Sequence, residues 1–309
     1  MNIKCLMALL IVPITFLSCS SSGDGGGELP QQPDPDTPPA ARKEIKISTA
    51  VNALMTRATD TGFDANDCIG LFVVNRGDGN TGNELKSSGN HVDNMRFKYN
   101  GTWTSDSHVY WKDDVTHADF YLYYPYRANI GDVRAMPFSV NADQSTENKY
   151  KESELLIGST KNVAPTEGSV NINVSHALSQ IMIAVAAGNG FTAESLAASD
   201  VRVTVNGLKT SATVDIATAA VNATGEPQSI KPWLNGGTYK ALVVPQTVAE
   251  TNLITVSVDG RDYNLNKDFT FAGGKSHKFT VTVSKTSSGI NVGITQWDTD
   301  GVDHGGVAE

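Results

Sequence analysis

Ala118-Asp119-Phe120-Tyr121-Leu122-Tyr123-Tyr124-Pro125 is the stretch that decides the fold class of this chain. Successive side chains of an extended strand point to opposite faces, so Phe120, Leu122 and Tyr124 share one face while Tyr121 and Tyr123 share the other. Pro125 has no N–H to give a ladder and ends the strand. The same grammar extends outward in both directions. Ile45, Ile47, Thr49 and Val51 alternate with Glu44, Lys46, Ser48 and Ala50, which predicts a strand with one apolar face. Further strands are expected at Cys68 to Val74, Met95 to Tyr99 and Val109 to Trp111. Downstream they are expected at Val170 to Val174, Ser179 to Ala186, Val201 to Val205, Ala212 to Ile216 and Tyr239 to Val244. The series closes with Ile254 to Val258, Arg261 to Leu265 and His277 to Ser284. Only Thr192 to Ser199 reads as helix. Parallel sheets need crossover helices between strands, so the class is all-β.

The N-terminus is of a different kind. Lys4 precedes an apolar run from Cys5 to Leu17, interrupted by Pro13 and Thr15, which is signal-peptide length and too short to span a bilayer. Residues 1–18 are therefore read as a cleaved leader, and Phe16-Leu17-Ser18-Cys19 resembles a bacterial lipoprotein signal that would leave Cys19 as the acylated N-terminus. Ordinary secretion is the alternative. A buried acyl methylene is worth ~0.8 kcal/mol, and two or three chains would hold the protein firmly in a membrane. Residues 19–43 are read as a lipidated flexible tether, because Ser, Gly, Pro, Asp and Gln bury too little apolar surface to offset their ordering entropy.

Residues 44–309 are long for one sandwich and natural for two. The boundary is placed near His176-Ala177, giving an N-terminal β-sandwich at 44–176 and a C-terminal one at 177–309. The net charge of −9, with no basic cluster, argues against nucleic acid as a partner. Of the 3 cysteines, Cys5 leaves with the leader and Cys19 would carry lipid, so Cys68 has no internal disulfide partner and reads as a small buried strand residue.

Catalytic and metal-binding patterns are sparse. Gly77-Asp78-Gly79-Asn80-Thr81-Gly82 matches G-x-G-x-x-G, but no helix follows to present its N-terminus to a phosphate, so a loop between strands is expected. The histidines are scattered, and Asp298, Asp300 and Asp303 fail the EF-hand spacing. There is no G-x-S-x-G setting for a nucleophile. Neither an enzyme, a metal site nor a cofactor is expected.

Several segments carry a resemblance when taken together. Tyr110-Trp111 followed by Ala118 to Tyr126 is similar to the "W then F-x-x-Y-Y-P-Y" signature of the fimbrillin family, the type V pilin superfamily of Gram-negative gut and oral anaerobes. Glu154-Leu155-Leu156-Ile157-Gly158, Ser175-His176-Ala177-Leu178-Ser179-Gln180-Ile181 and Gly207-Leu208-Lys209-Thr210 follow in family order. Ala241-Leu242-Val243-Val244-Pro245-Gln246, Phe271-Ala272-Gly273-Gly274-Lys275-Ser276-His277 and Ile294-Thr295-Gln296-Trp297 complete the series. The resemblance implies two tandem transthyretin-like β-sandwiches, export as an outer-membrane lipoprotein and assembly into a fimbrium by donor-strand exchange.

It also implies removal of an N-terminal segment by an Arg-specific surface protease, and Arg57-Ala58 stands where that cut would fall. An ordinary exposed loop arginine is the alternative. Cutting there would separate Cys19 and the strand bearing Ile45, Ile47, Thr49 and Val51 from the body, which makes 44–57 a removable strand. A sandwich that loses a strand presents unpaired backbone and an apolar trough, a template for β-augmentation. The candidate donor strand is Ile290, Val292 and Ile294, alternating with Asn291 and Gly293; it could equally be the last strand of its own sandwich. Tip, shaft and anchor roles stay open, as does any host or bacterial surface ligand. A non-polymerising surface lipoprotein that binds glycan is the alternative function, motivated by Trp103, Tyr121, Tyr123, Tyr126 and Trp233.

Overall fold

The structure is a computed structural model that describes residues 42–51, 62–285 and 291–296, the last six through their backbone. Its strands begin with β1 (Lys46–Val51), β2 (Cys68–Asn75), β3 (Val92–Tyr99), β4 (Trp103–Ser105), β5 (Ala118–Tyr124) and β6 (Met136–Ser139). A short helix, α1 (Glu147–Lys151), precedes β7 (Leu156–Val163), β8 (Ser169–His176) and β9 (Ser179–Ala187). A second, α2 (Ala193–Ala197), leads to β10 (Val201–Asp215), β11 (Ala220–Ile230), β12 (Trp233–Asn235) and β13 (Thr238–Val243). The series ends with β14 (Gln246–Val258), β15 (Arg261–Phe271), β16 (Ser276–Val283) and β17 (Asn291–Gln296). The expected helix is α2, started by a capping box in which the Thr192 hydroxyl accepts from the Ser195 N–H and Ser195 reaches back to Thr192.

These strands form three sheets. One has seven strands in the order β1-β8-β7-β5-β2-β3-β4. The others follow β11-β10-β14-β15, with β6 on β10, and β12-β13-β9-β16-β17. The all-β class expected from the alternation is the class observed.

β5 lies in the middle of the seven-stranded sheet, and both of its faces are buried. Phe120 and Leu122 enter a first core with Ile69, Leu71 and Val73 of β2, while Tyr121 and Tyr123 enter a second with Phe72 and Val74. That second core continues without a break into the inward residues of β9, β10, β13, β14 and β16. Gly70 of β2, opposite Tyr123 of β5, leaves room for the Tyr123 ring, because a Cβ there would sit 2.1 Å from it. The first core is closed by the two ends of the same sheet, which curl toward each other, and by Trp111, packed edge-on to Phe120 at 5.5 Å.

Several local expectations are corrected. Val109 to Trp111 is not a ladder strand; it contributes a single antiparallel bridge, Glu44 to Tyr110. Cys68 is half-exposed rather than buried, its thiol donating to the Asn66 carbonyl at 3.4 Å. The Gly77–Gly82 segment is a loop with one short 3-10 turn over Asp78–Asn80. Apart from these corrections, β6 (Met136–Ser139) pairs antiparallel with Val214 to Ser211 of β10 and so ties segments on the two sides of His176-Ala177 together.

Candidate functional site

β1 sits at the rim of the seven-stranded sheet and pairs parallel with β8, Lys46 opposite Ser169 through Val51 opposite Val174. Its neighbours in that sheet pair antiparallel throughout. The alternation that defines the strand also explains its seat. Ile45 and Ile47 are 3% and 5% exposed in the first core, Val51 packs half-buried against it, and Lys46 and Ala50 face outward. Opposite them on β8, Val170, Ile172 and Val174 form the buried floor of the slot. β8 is paired with β7 only from Val174 to His176, so its residues Ser169 to Asn173 find their ladder partner in β1.

The outer side of β1 is fastened at one end and open along the rest. The Ile45 N–H donates to Val109 at 2.8 Å, and the Trp111 N–H donates to Lys43 at 2.9 Å. An ion pair of Lys43 with Asp114 at 3.0 Å and a hydrogen bond between His108 Nδ1 and the Glu44 carboxylate at 2.6 Å reinforce this end. From Lys46 to Val51 the strand instead borders a cleft of about 770 Å³, whose far wall is Gly101 to His108. Across that cleft the indole N–H of Trp103 donates to the Thr49 hydroxyl at 3.0 Å. Trp103 is held by a cluster of rings from the body, with Phe63 at 4.9 Å and Tyr99 at 5.0 Å between centroids. Phe63 also meets Tyr124 at 5.6 Å. The Tyr124 hydroxyl, pushed above its ordinary pKa by burial and by Asp67, donates to the Asp67 carboxylate at 3.0 Å.

The structure thus brings Ile45, Ile47, Thr49 and Val51 together on one face of a rim strand. Cys19, Arg57, Ala58 and Ile290 lie outside the described residues, as do Trp297, Asp298, Asp300 and Asp303. The backbone of Val292 and Ile294 lies in β17, opposite Val281 and Phe279 at the rim of the second half's sheet. The five aromatics that motivated glycan binding do not form one exposed platform. Tyr121 and Tyr123 are buried, Trp103 is engaged with Thr49, Tyr126 lies under Arg96, and Trp233 packs on Tyr150. Among the described residues no group of three or more His, Cys, Asp or Glu could hold a metal ion. Trp103 as a partner of β1 was not anticipated from the sequence; the floor on β8 was detectable, since Val170, Ile172 and Val174 alternate with Asn171 and Asn173 as one apolar face requires.

Comparison with known proteins adds a family. The sequence profile of a family described as fimbrillin-like matches residues 56–297. The chain is 24% identical to a candidate fimbrium subunit, Fim1C, of Bacteroides uniformis, over 96% of each sequence. It is similar to the crystal structure of a candidate cell adhesion protein from Bacteroides uniformis, with a TM-score of 0.62 and 22% identity, over 83% of this chain and 100% of that one. A second such structure, from Bacteroides ovatus, gives a TM-score of 0.66 and 18% identity over 84% and 99%. At those identities the structural likeness shows a shared fold.

Proposed function

This chain belongs to the fimbrillin-like family, and from that we propose that it is a fimbrial subunit contributing to surface adhesion. In this reading it is exported as an outer-membrane lipoprotein acylated at Cys19, and an Arg-specific surface protease cuts it between Arg57 and Ala58. It is then assembled with other fimbrial subunits by strand exchange, in a structural rather than a catalytic role. The two-sandwich partition near His176-Ala177 belongs to the same proposal.

The observation that carries it is the seat of β1. The strand fills a core slot with Ile45 and Ile47, yet among the described residues its ladder partner is β8 alone. Fully burying an isoleucine is worth ~1.5–3 kcal/mol. Loss of β1 would expose Val170, Ile172 and Val174 and leave the backbone groups of Ser169 to Asn173 that face β1 without ladder partners, a strong template for a replacement strand. The family match begins at Thr56, one residue before Arg57, and leaves β1 outside it. The donor proposed for a neighbouring subunit is the segment with Ile290, Val292 and Ile294, whose described part, β17, occupies a rim and among the described residues pairs with β16 alone.

The test is mass spectrometry of the surface-exposed protein together with limited digestion of the full chain by an Arg-specific protease. An N-terminus at Ala58, followed by uptake of partner strands into stable polymers, is the expected result. A mature form that keeps β1, or a trimmed body that takes up no strand, overturns the proposal.

A further inference from the structure

Trp103 reaches β1 from the opposite end of the sheet, and among the described residues its indole supplies the hydrogen bond that crosses between β1 and β4. The ring has supports of its own outside β1. It is set by Phe63 and Tyr99 and by the pairing of Tyr99 with Trp103, all in the part of the chain that would survive a cut after Arg57. An indole N–H is only a donor, so a half-buried one pointing at the slot demands an acceptor from whatever lies there. In the resident strand that acceptor is Thr49, the polar member of an otherwise apolar face, Ile45, Ile47 and Val51.

We infer that Trp103 fixes the register and direction of the strand that occupies the β1 slot, and so selects a partner strand reading apolar-x-apolar-x-acceptor-x-apolar. This rests on the strand-exchange reading above and names the chemistry of the partner it leaves undefined. A slip of one residue turns a strand's apolar set to the wrong face, and the β8 floor already excludes that. A slip of two residues keeps the faces right but places an apolar side chain against the indole and moves the hydroxyl to the place that Ile47 or Val51 fills against the first core. Reversal fails for the same reason, because the pattern is not a palindrome: the acceptor would stand third instead of fifth. The apolar floor sets which face points inward, and the indole sets which residue sits where.

The experiment digests the full chain with an Arg-specific protease in the presence of fluorescent peptides spanning the sequence Glu44 to Val51. One peptide is native, one carries Thr49→Val, and one exchanges the residues at positions 47 and 49. The native peptide is expected to bind about fivefold more tightly than the Thr49→Val peptide, the scale of one net hydrogen bond. The exchanged peptide should be weaker still. In a chain carrying Trp103→Phe, which keeps an aromatic ring in the cluster, native and Thr49→Val peptides should bind alike. Equal binding of those two peptides to the parent chain overturns the inference while leaving strand exchange intact, and that comparison needs no variant of the protein to fold. A preference that persists in the Trp103→Phe chain also overturns it. Failure of every peptide to bind removes the strand-exchange reading and this inference with it.

Discussion

Ile47 of β1 stands opposite Val170 of β8 in a parallel register, and both are buried, at 5% and 3% exposure. The pair joins a rim strand to the sheet through the core as well as through the ladder. Truncating Ile47 to Ala is therefore expected to cost about 2–5 kcal/mol, the transfer loss plus the cavity it leaves. Lys46→Ala, one residue away on the exposed face, should change stability by less than ~0.5 kcal/mol. Urea unfolding of the two variants checks the contrast; equal effects would mean that β1 is not seated as described.

Gly158 on β7 pairs with Val174 on β8, and the approach is so close that a Cβ would lie 2.4 Å from the Asn173 carbonyl oxygen. A backbone atom cannot swing away as a side chain can. Gly158→Ala should push β7 and β8 apart, at a cost of about 1–3 kcal/mol, and loosen the platform beneath β1. Gly168→Ala is the control, because its Cβ would make only an ordinary contact with Thr166 at 3.5 Å. Amide hydrogen exchange should show faster exchange along β1 in the first variant and no change in the second.

What the sequence made legible follows where burial and periodicity coincide. β1, β5 and β8 carry alternating apolar residues and lie where that alternation places them. β11 was not expected, since Ala220–Ile230 is largely exposed and contains Gly225 and Pro227, so no apolar face announces it. It is a strand because the neighbouring β10 presents a long edge. β4 and β6 are too short for a period to show, and Val109 to Trp111 has strand composition but serves to cap a core. Tyr121 and Tyr123 were readable as sharing a face, yet nothing local says that this face is covered by the second half of the chain. The contact between Trp103 and Thr49 joins residues 54 positions apart and depends on how the sheet curls, which no local pattern encodes.

Asp119 is 4% exposed and serves as a staple for three segments. Its Oδ1 accepts from Arg76 Nη1 and from the Asn162 N–H, each at 2.7 Å, while Arg76 Nε donates to the Asn80 carbonyl at 2.7 Å. The carboxylate thus ties the G-x-G loop and the end of β7 to the centre of the sheet. Removing it with Asp119→Ala leaves Arg76 without its counter-charge and should cost about 3–5 kcal/mol. Replacing both residues by leucine should recover much of that loss, because an apolar pair needs no desolvation of charge. A double-mutant cycle by chemical denaturation measures the coupling, and additive losses would show that the pair does not act as a unit.

His277 lies 5% exposed in the second core, edge-on to Phe269 at 5.0 Å and to Phe271 at 5.9 Å. Neither ring nitrogen has a hydrogen-bond partner among the described residues. Burial, with a smaller push from Lys275, holds its pKa below the ordinary 6.5. The unfolded chain therefore binds a proton at pH values where the folded chain refuses it, so unfolding takes up protons. Stability from this group is complete above about pH 6.5 and is lost as the pH falls from there toward the depressed folded value. A buried polar group without a partner costs ~1–3 kcal/mol, and 1 kcal/mol moves the midpoint of a domain this size by roughly 2–4 °C. His277→Leu should accordingly raise the thermal midpoint by a few degrees at neutral pH, by more near about pH 5, and flatten the profile between them. If the variant retains the parent's slope across that window, groups other than His277 set the acid sensitivity of this core.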